Sequence, residues 1–210
     1  MKEHSLTENT EAEVIERLAK GALLRDLLTA VKGIPSHAQL FRSVPLRGLP
    51  DEPKGDIDLL CVPPLHPELA VAVQVKKIKV DAEAIQTGRP NGLQGLKTGI
   101  RQANLLSKIG FHQVYLFVFV MVDSREQNAG RISFASLPPE LRRLIERCIA
   151  DIRCAGLVQS VGLAHYEFAQ TMDTPDPFDS NHLQLVDLAA QLSQRAEVTN
   201  WVKAACERGM

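Results

Sequence analysis

Two acids, an amide and a lysine, Asp56, Asp58, Gln74 and Lys76, interrupt a stretch from Gly55 to Val80 that otherwise reads as two buried strands. Such groups are costly in a sheet interior unless something binds them. Either they reach water or they form a site. Carboxylate and amide oxygens are hard donors of the kind Mg²⁺ takes. An ammonium beside them can orient an attacking water or offset developing negative charge.

The alternation of side chains along strands brings these groups together. Asp56 and Asp58 are expected on one face of DIDLLCV, with Ile57 and Leu59 on the other. In LAVAVQVKKIKV, Val71, Val73 and Val75 share a face, and Ala72, Gln74, Lys76 and Ile78 share the opposite one. The connection PPLHPE is short and holds three prolines, which predicts an antiparallel hairpin. Asp58 then lies within cross-strand reach of Gln74 and Lys76.

The rest of the chain supplies the frame. A helix is predicted from Thr10, where Thr10 and Glu13 fit a capping box, to a stop at Gly33 and Pro35. AQLFRSVPL follows as a strand. Residues 81–92 read as a flexible loop, and 93–110 as a helix weakened by Gly95 and Gly99. HQVYLFVFVMV reads as a strand buried on both faces. PPELRRLIERCIADI is a helix with prolines at its start, and GLVQSVGLAHYEFA is a late strand. TMDTPDPFDSN is a loop, and residues 182–209 read as a closing helix broken in its middle. This order predicts an α/β fold with a mixed central sheet flanked by helices. Residues 1–9 read as a loose leader and 10–210 as one domain, with a core over 10–122 and an extension over 123–210.

Composition narrows the function classes. The 210 residues are 45% apolar and 23% charged, enough for a core without disulfide staples. Net charge is −1, so a polyanion site needs a local basic patch. The four cysteines form no C-x-x-C pair, and the six histidines no H-x-H or H-x-x-x-H pair, which argues against zinc. There is no G-x-x-x-x-G-K-[ST] loop for ATP and no G-x-S-x-G nucleophile. The polar, acidic N-terminus is unlike a signal peptide, and no apolar run approaches ~20 residues. A cytoplasmic protein without membrane contact is expected.

GDIDLL followed by VQVK resembles the PD-(D/E)xK nuclease superfamily, the restriction-endonuclease-like fold. Asp58 takes the position of that family's Asp, Gln74 that of its second acid, and Lys76 that of its Lys; Asp56 is a weaker candidate for the first role. Gln74 departs from the commoner carboxylate and is similar to the Mrr-type branch. EAEVIERL matches an E-x-x-V-x-x-x-L helix through Glu11, Val14 and Leu18, and GLKTGIRQANLLSKIGFHQVYLFVFV matches a basic helix and buried strand.

The resemblance implies a restriction-endonuclease-like core and a Mg²⁺-dependent nuclease, with Mn²⁺ as a substitute. Asp58, Gln74 and Lys76 would be catalytic. Asp58, the Gln74 side-chain oxygen, the Val75 carbonyl and Glu11 would ligate the metal. Lys77, Lys97, Arg101 and Gln102 would contact nucleic acid. The implied partner is DNA, with RNA left open, in restriction, phage defence or repair. A homodimer and recruitment by a partner protein are both compatible with this size. The alternative is a catalytically inactive nuclease-fold module that binds nucleic acid or protein.

A purely structural reading stands beside each assignment. Asp56 and Asp58 would be a solvated strand face. Gln74 would satisfy its amide on Asp58. Lys77 and Lys79 would be strand lysines that block aggregation. Glu11 would be a surface acid favoured by a helix dipole. Lys97, Arg101 and Gln102 would be an ordinary solvated helix face.

Overall fold

The computed structural model describes residues 13–16, 37–49, 53–123, 137–170 and 181–208, with only the backbone described at 170 and 181–185. Among the described residues, six strands form one sheet in sequence order: β1 (Gln39–Pro45), β2 (Asp56–Val62), β3 (Val71–Val80), β4 (Gln113–Asp123), β5 (Gly162–Gln170) and β6 (Asn181–Asp187). β1, β2 and β3 are antiparallel, β3, β4 and β5 are parallel, and β6 returns antiparallel. The expected α/β class and mixed sheet are therefore observed, as is the β2–β3 hairpin.

Among the described residues, the α-helices after β3 are α1 (Ala82–Thr87), α2 (Leu93–Ile109), α3 (Pro139–Ala150) and α4 (Ala196–Glu207). Residues 13–16 are helical, as expected there. The remainder of the predicted first helix lies outside the described residues. No described helix is long and apolar enough to cross a membrane.

Two expectations need correction. The segment after β3 is not wholly a loop. Asp81 accepts from the Ala84 backbone N–H at 2.9 Å and so starts α1, which Gly88 ends in the left-handed region at φ 67°. The closing helix is confined to α4. Residues 181–187 are instead a strand, which supplies β5 with a partner on its outer edge. The apolar spacing of HLQLVD fits both periods over so short a run, and the pairing decides.

The sheet has a core on each face. One contains Ala72, Ile78, Leu116, Val118 and Val120 beneath Leu96, Ile100 and Ala103 of α2 and Ile145 of α3. The other contains Val73, Val75, Phe117, Phe119, Tyr166 and Phe168, together with Val14 and Ile15. The second is built on aromatic contacts, with Phe119 and Phe168 edge-to-face at 5.5 Å.

Candidate functional site

β3 is sealed on one edge and opened on the other. All ten of its residues pair with β4. Towards β2 the ladder covers only Val71–Val73, opposite Cys61–Leu59. The same edge is met again at Lys79, which exchanges backbone hydrogen bonds of 2.8 and 3.0 Å with Asn91. Gln74 to Ile78 therefore border a gap in the sheet.

The gap arises from an irregular rung. Leu40 packs towards the aromatic core and Phe41 towards the α2 core, as alternation demands. Val44 then lies in the α2 core, where regular alternation would put it in the aromatic one. Opposite, Leu59 is in the aromatic core but Ile57 is in the α2 core. Ile57 and Leu59 therefore do not share a face, contrary to the sequence expectation. The rung at which both strands change phase is Ser43 and Asp58. Ser43 has φ 48°, the one positive φ outside glycine among the described residues. A left-handed serine is strained, and such strain gathers where a side chain must be re-aimed.

The re-aimed side chain is Asp58. Its Oδ2 accepts from the Val75 backbone N–H at 2.7 Å and from Gln74 Nε2. In an extended strand a residue's N–H and C=O leave on the same edge, so the Val75 carbonyl also faces the gap. Gln74 is 1% exposed. Its NH₂ must face the carboxylate, since the reverse orientation would set oxygen against oxygen. That fixes Oε1 on the other side, where it is buried with no hydrogen-bond partner. A buried, unsatisfied carbonyl costs about 1–3 kcal/mol.

Lys76 reaches the same face through a groove in α2. A Cβ on Gly99 would come within 2.5 Å of Lys76 Cγ, and one on Gly95 within 3.9 Å of Cδ. The stem thus lies flat on two glycines and runs towards the N-terminal end of the helix. Sequence reasoning saw these glycines only as helix-weakening residues; their use is to admit a lysine stem between helix and sheet.

The other expected residues divide. Gln102 lies one turn beyond Gly99 on the same stripe of α2, and its Oε1 is buried without a hydrogen-bond partner. Lys97 and Arg101 are exposed, with Arg101 donating to Thr98 Oγ1 at 3.3 Å. Asp56 is exposed at the start of β2. Lys77 projects to the opposite face from Lys76 and its ammonium is buried, so it does not join the cluster. Glu11 lies outside the described residues. Sequence reasoning missed Ser43 and the Asn91–Gly92 turn. Gly92 sits so close to β3 that a Cβ would come within 2.1 Å of the Lys77 carbonyl oxygen.

A second polar pair shares the α2 face. His165 of β5 is the register partner of Val118 of β4, itself beside Lys76. His165 Nε2 lies 3.4 Å from Glu167 Oε1. Burial pushes the Glu167 carboxyl up to about 7, with the nearby Glu146 of α3 acting in the same direction.

The donor set at the gap suits a hard cation. It offers the Asp58 carboxylate and the Val75 carbonyl, and a turned-over Gln74 amide would add its oxygen to them. Among the described residues no three His, Cys, Asp or Glu side chains gather into a metal-holding group. Any cation here would rest on amide and backbone oxygens beside Asp58. A cavity of about 580 Å³ lies elsewhere, lined by Pro53, Leu105, Lys108, Ile109, Arg195, Glu197 and Val198. No family model matches the chain, and no curated protein matches it in sequence.

Proposed function

We propose that this chain is a divalent-metal-dependent nuclease domain that hydrolyses DNA phosphodiesters, built on a restriction-endonuclease-like core. The observation that carries the proposal is the Asp58 carboxylate held by the Val75 N–H and the Gln74 amide at the open edge of β3, with a buried Gln74 oxygen that lacks a hydrogen-bond partner and with Lys76 on the same face of the strand as Gln74. Asp58, Gln74 Oε1 and the Val75 carbonyl would hold Mg²⁺ or Mn²⁺. The bound ion would supply Lewis acidity and a water of lowered pKa.

The chain's own contribution is positioning. Val75 N–H and the Gln74 amide fix the Asp58 carboxylate. The glycine groove holds the Lys76 stem, so its ammonium orients the attacking water or offsets charge on the pentavalent phosphorus. Lys97 and Arg101, four residues apart and exposed, would take phosphates flanking the cleaved bond.

One observation favours a second reading. The Gln74–Asp58 hydrogen bond already uses Asp58 Oδ2, and an amide brings no charge to the metal. That arrangement also suits a module that binds nucleic acid without cutting it. Cleavage of supercoiled, linear and single-stranded DNA with Mg²⁺, Mn²⁺ or EDTA separates the two. Metal-dependent cutting abolished by Asp58→Ala and by Lys76→Ala is the expected result. Cutting that survives both variants would place the chemistry elsewhere. DNA binding without cutting under either metal would select the second reading.

A further inference from the structure

The cavity of about 580 Å³ lies between the end of α2 and the start of α4, within the size range of small-molecule sites. Leu105 and Ile109 of α2, Val198 of α4 and Pro53 give it aliphatic walls. Lys108, Arg195 and Glu197 are its charged groups. Among the described lining residues there is no aromatic ring and no neutral side chain that hydrogen-bonds. A nucleobase therefore finds neither a stacking partner nor an edge-reading group there.

Arg195 is out of place on local grounds. It holds the N-cap position of α4 and makes no side-chain cap. Ser, Thr, Asp and Asn are favoured there, and the helix dipole disfavours a cation. Its stem is nonetheless seated: a Cβ on Gly110 would come within 2.7 Å of Arg195 Cγ and 2.9 Å of Cδ. Its backbone N–H donates to the Gly110 carbonyl at 3.2 Å. The guanidinium is left at the cavity on an exposed residue, with no hydrogen bond or ion pair among the described residues. Lys108, in the last turn of α2, is also exposed and also unpaired among them. Two cations and Glu197 leave a surplus of one positive charge. That surplus fits a single carboxylate better than a phosphate dianion, and a guanidinium binds a carboxylate through two parallel hydrogen bonds.

We infer that this cavity binds a small monocarboxylic acid with an aliphatic body, its carboxylate between Arg195 and Lys108 and its chain against Leu105, Ile109 and Val198. At about 1.5 Å per residue, Lys108 stands roughly 14–20 Å along α2 from the two glycines that seat Lys76. The inference is independent of the nuclease reading.

Isothermal titration calorimetry of the full chain with decanoate tests it. One decanoate per chain is expected, with a Kd at or below about 1 mM. Acetate lacks the body and decyltrimethylammonium reverses the charge; each is expected to bind at least about tenfold more weakly. Arg195→Ser removes the cation but installs a favoured N-cap. Affinity should fall at least about tenfold while melting temperature holds or rises. Lys108→Gln, at an exposed position, should weaken binding in the same direction with the fold kept. Should Arg195→Ser lower the melting temperature, Lys108→Gln decides alone. A wild-type chain that binds no decanoate overturns the inference, as would follow if Asp51 or Glu52, next to Pro53 in the sequence, neutralised the two cations. So does decanoate binding that both variants leave unchanged, or retention on phosphatidylglycerol vesicles in place of binding to the free acid.

Discussion

The two edges of β3 make opposite demands on one strand. Towards β4 every residue is paired, and β4 itself sets apolar or aromatic side chains on both faces from Val114 to Val122. Towards β2 the pairing stops after three residues, and the polar groups follow at once. The strand is regular enough to serve as a sheet's centre on one side and as the wall of a site on the other. The continuous ladder and the polar cluster are thus divided by edge rather than by domain.

The comparison can be broken most forcefully on the sealed side. Phe117 pairs with Val75 and is 1% exposed. Phe117→Ala is expected to cost about 3–5 kcal/mol in a urea titration. A loss below about 1 kcal/mol would mean the seam is not the stabilising edge.

Glu167 offers the next effect. The folded carboxyl, pushed up to about 7, holds its proton more tightly than the unfolded one. Its contribution is full below the unfolded value near 4.5 and is lost as pH rises to about 7. Glu167→Gln, beside His165 and Glu146, should therefore leave stability unchanged at acid pH. Above neutrality it should add on the order of 2 kcal/mol. Chemical denaturation at several pH values checks this; parallel curves for the two proteins would disprove it.

A smaller effect sharpens the open edge. Gln74→Glu removes the donor to Asp58 and sets two carboxylates together. Without metal this should cost about 1–3 kcal/mol near neutral pH. Millimolar Mg²⁺ should restore that loss as a rise in melting temperature larger than in wild type. A variant indifferent to Mg²⁺ would count against a cation at the gap. Last, Ser43→Gly relieves a left-handed serine but frees the unfolded chain, so stability should change by less than about 1 kcal/mol. If φ at Ser43 matters for aiming Asp58 rather than for folding, the proposed nuclease activity should respond more than melting temperature does.

Much of this was legible in the residues. VAVQVKKIKV announces a strand by its β-branched run, and strict alternation there put Gln74 and Lys76 on one face. The short proline-rich link announced the hairpin. Ser43 was not legible, because serine rarely adopts a left-handed conformation and nothing in its neighbours demands one. The change of phase at Asp58 and the separation of Ile57 from Leu59 were lost with it. Gly95 and Gly99 were misread because local propensity counts only their cost to a helix, while their benefit is a tertiary contact with Lys76. β6 was misread because short apolar spacing does not choose between periods, and only the unpaired edge of β5 does.

An open sheet edge is ordinarily an invitation to a stranger's strand. Here the opening runs only from Gln74 to Ile78, closed below by β2 and above by Asn91. That is roughly 17 Å of backbone, at about 3.3 Å per residue, with both ends already occupied. An incoming strand could add no more than a rung or two before meeting the chain itself. Side chains and a small ligand fit where a polymer of strands would not, so the molecule keeps an unpaired stretch at its centre without becoming a template for its own aggregation.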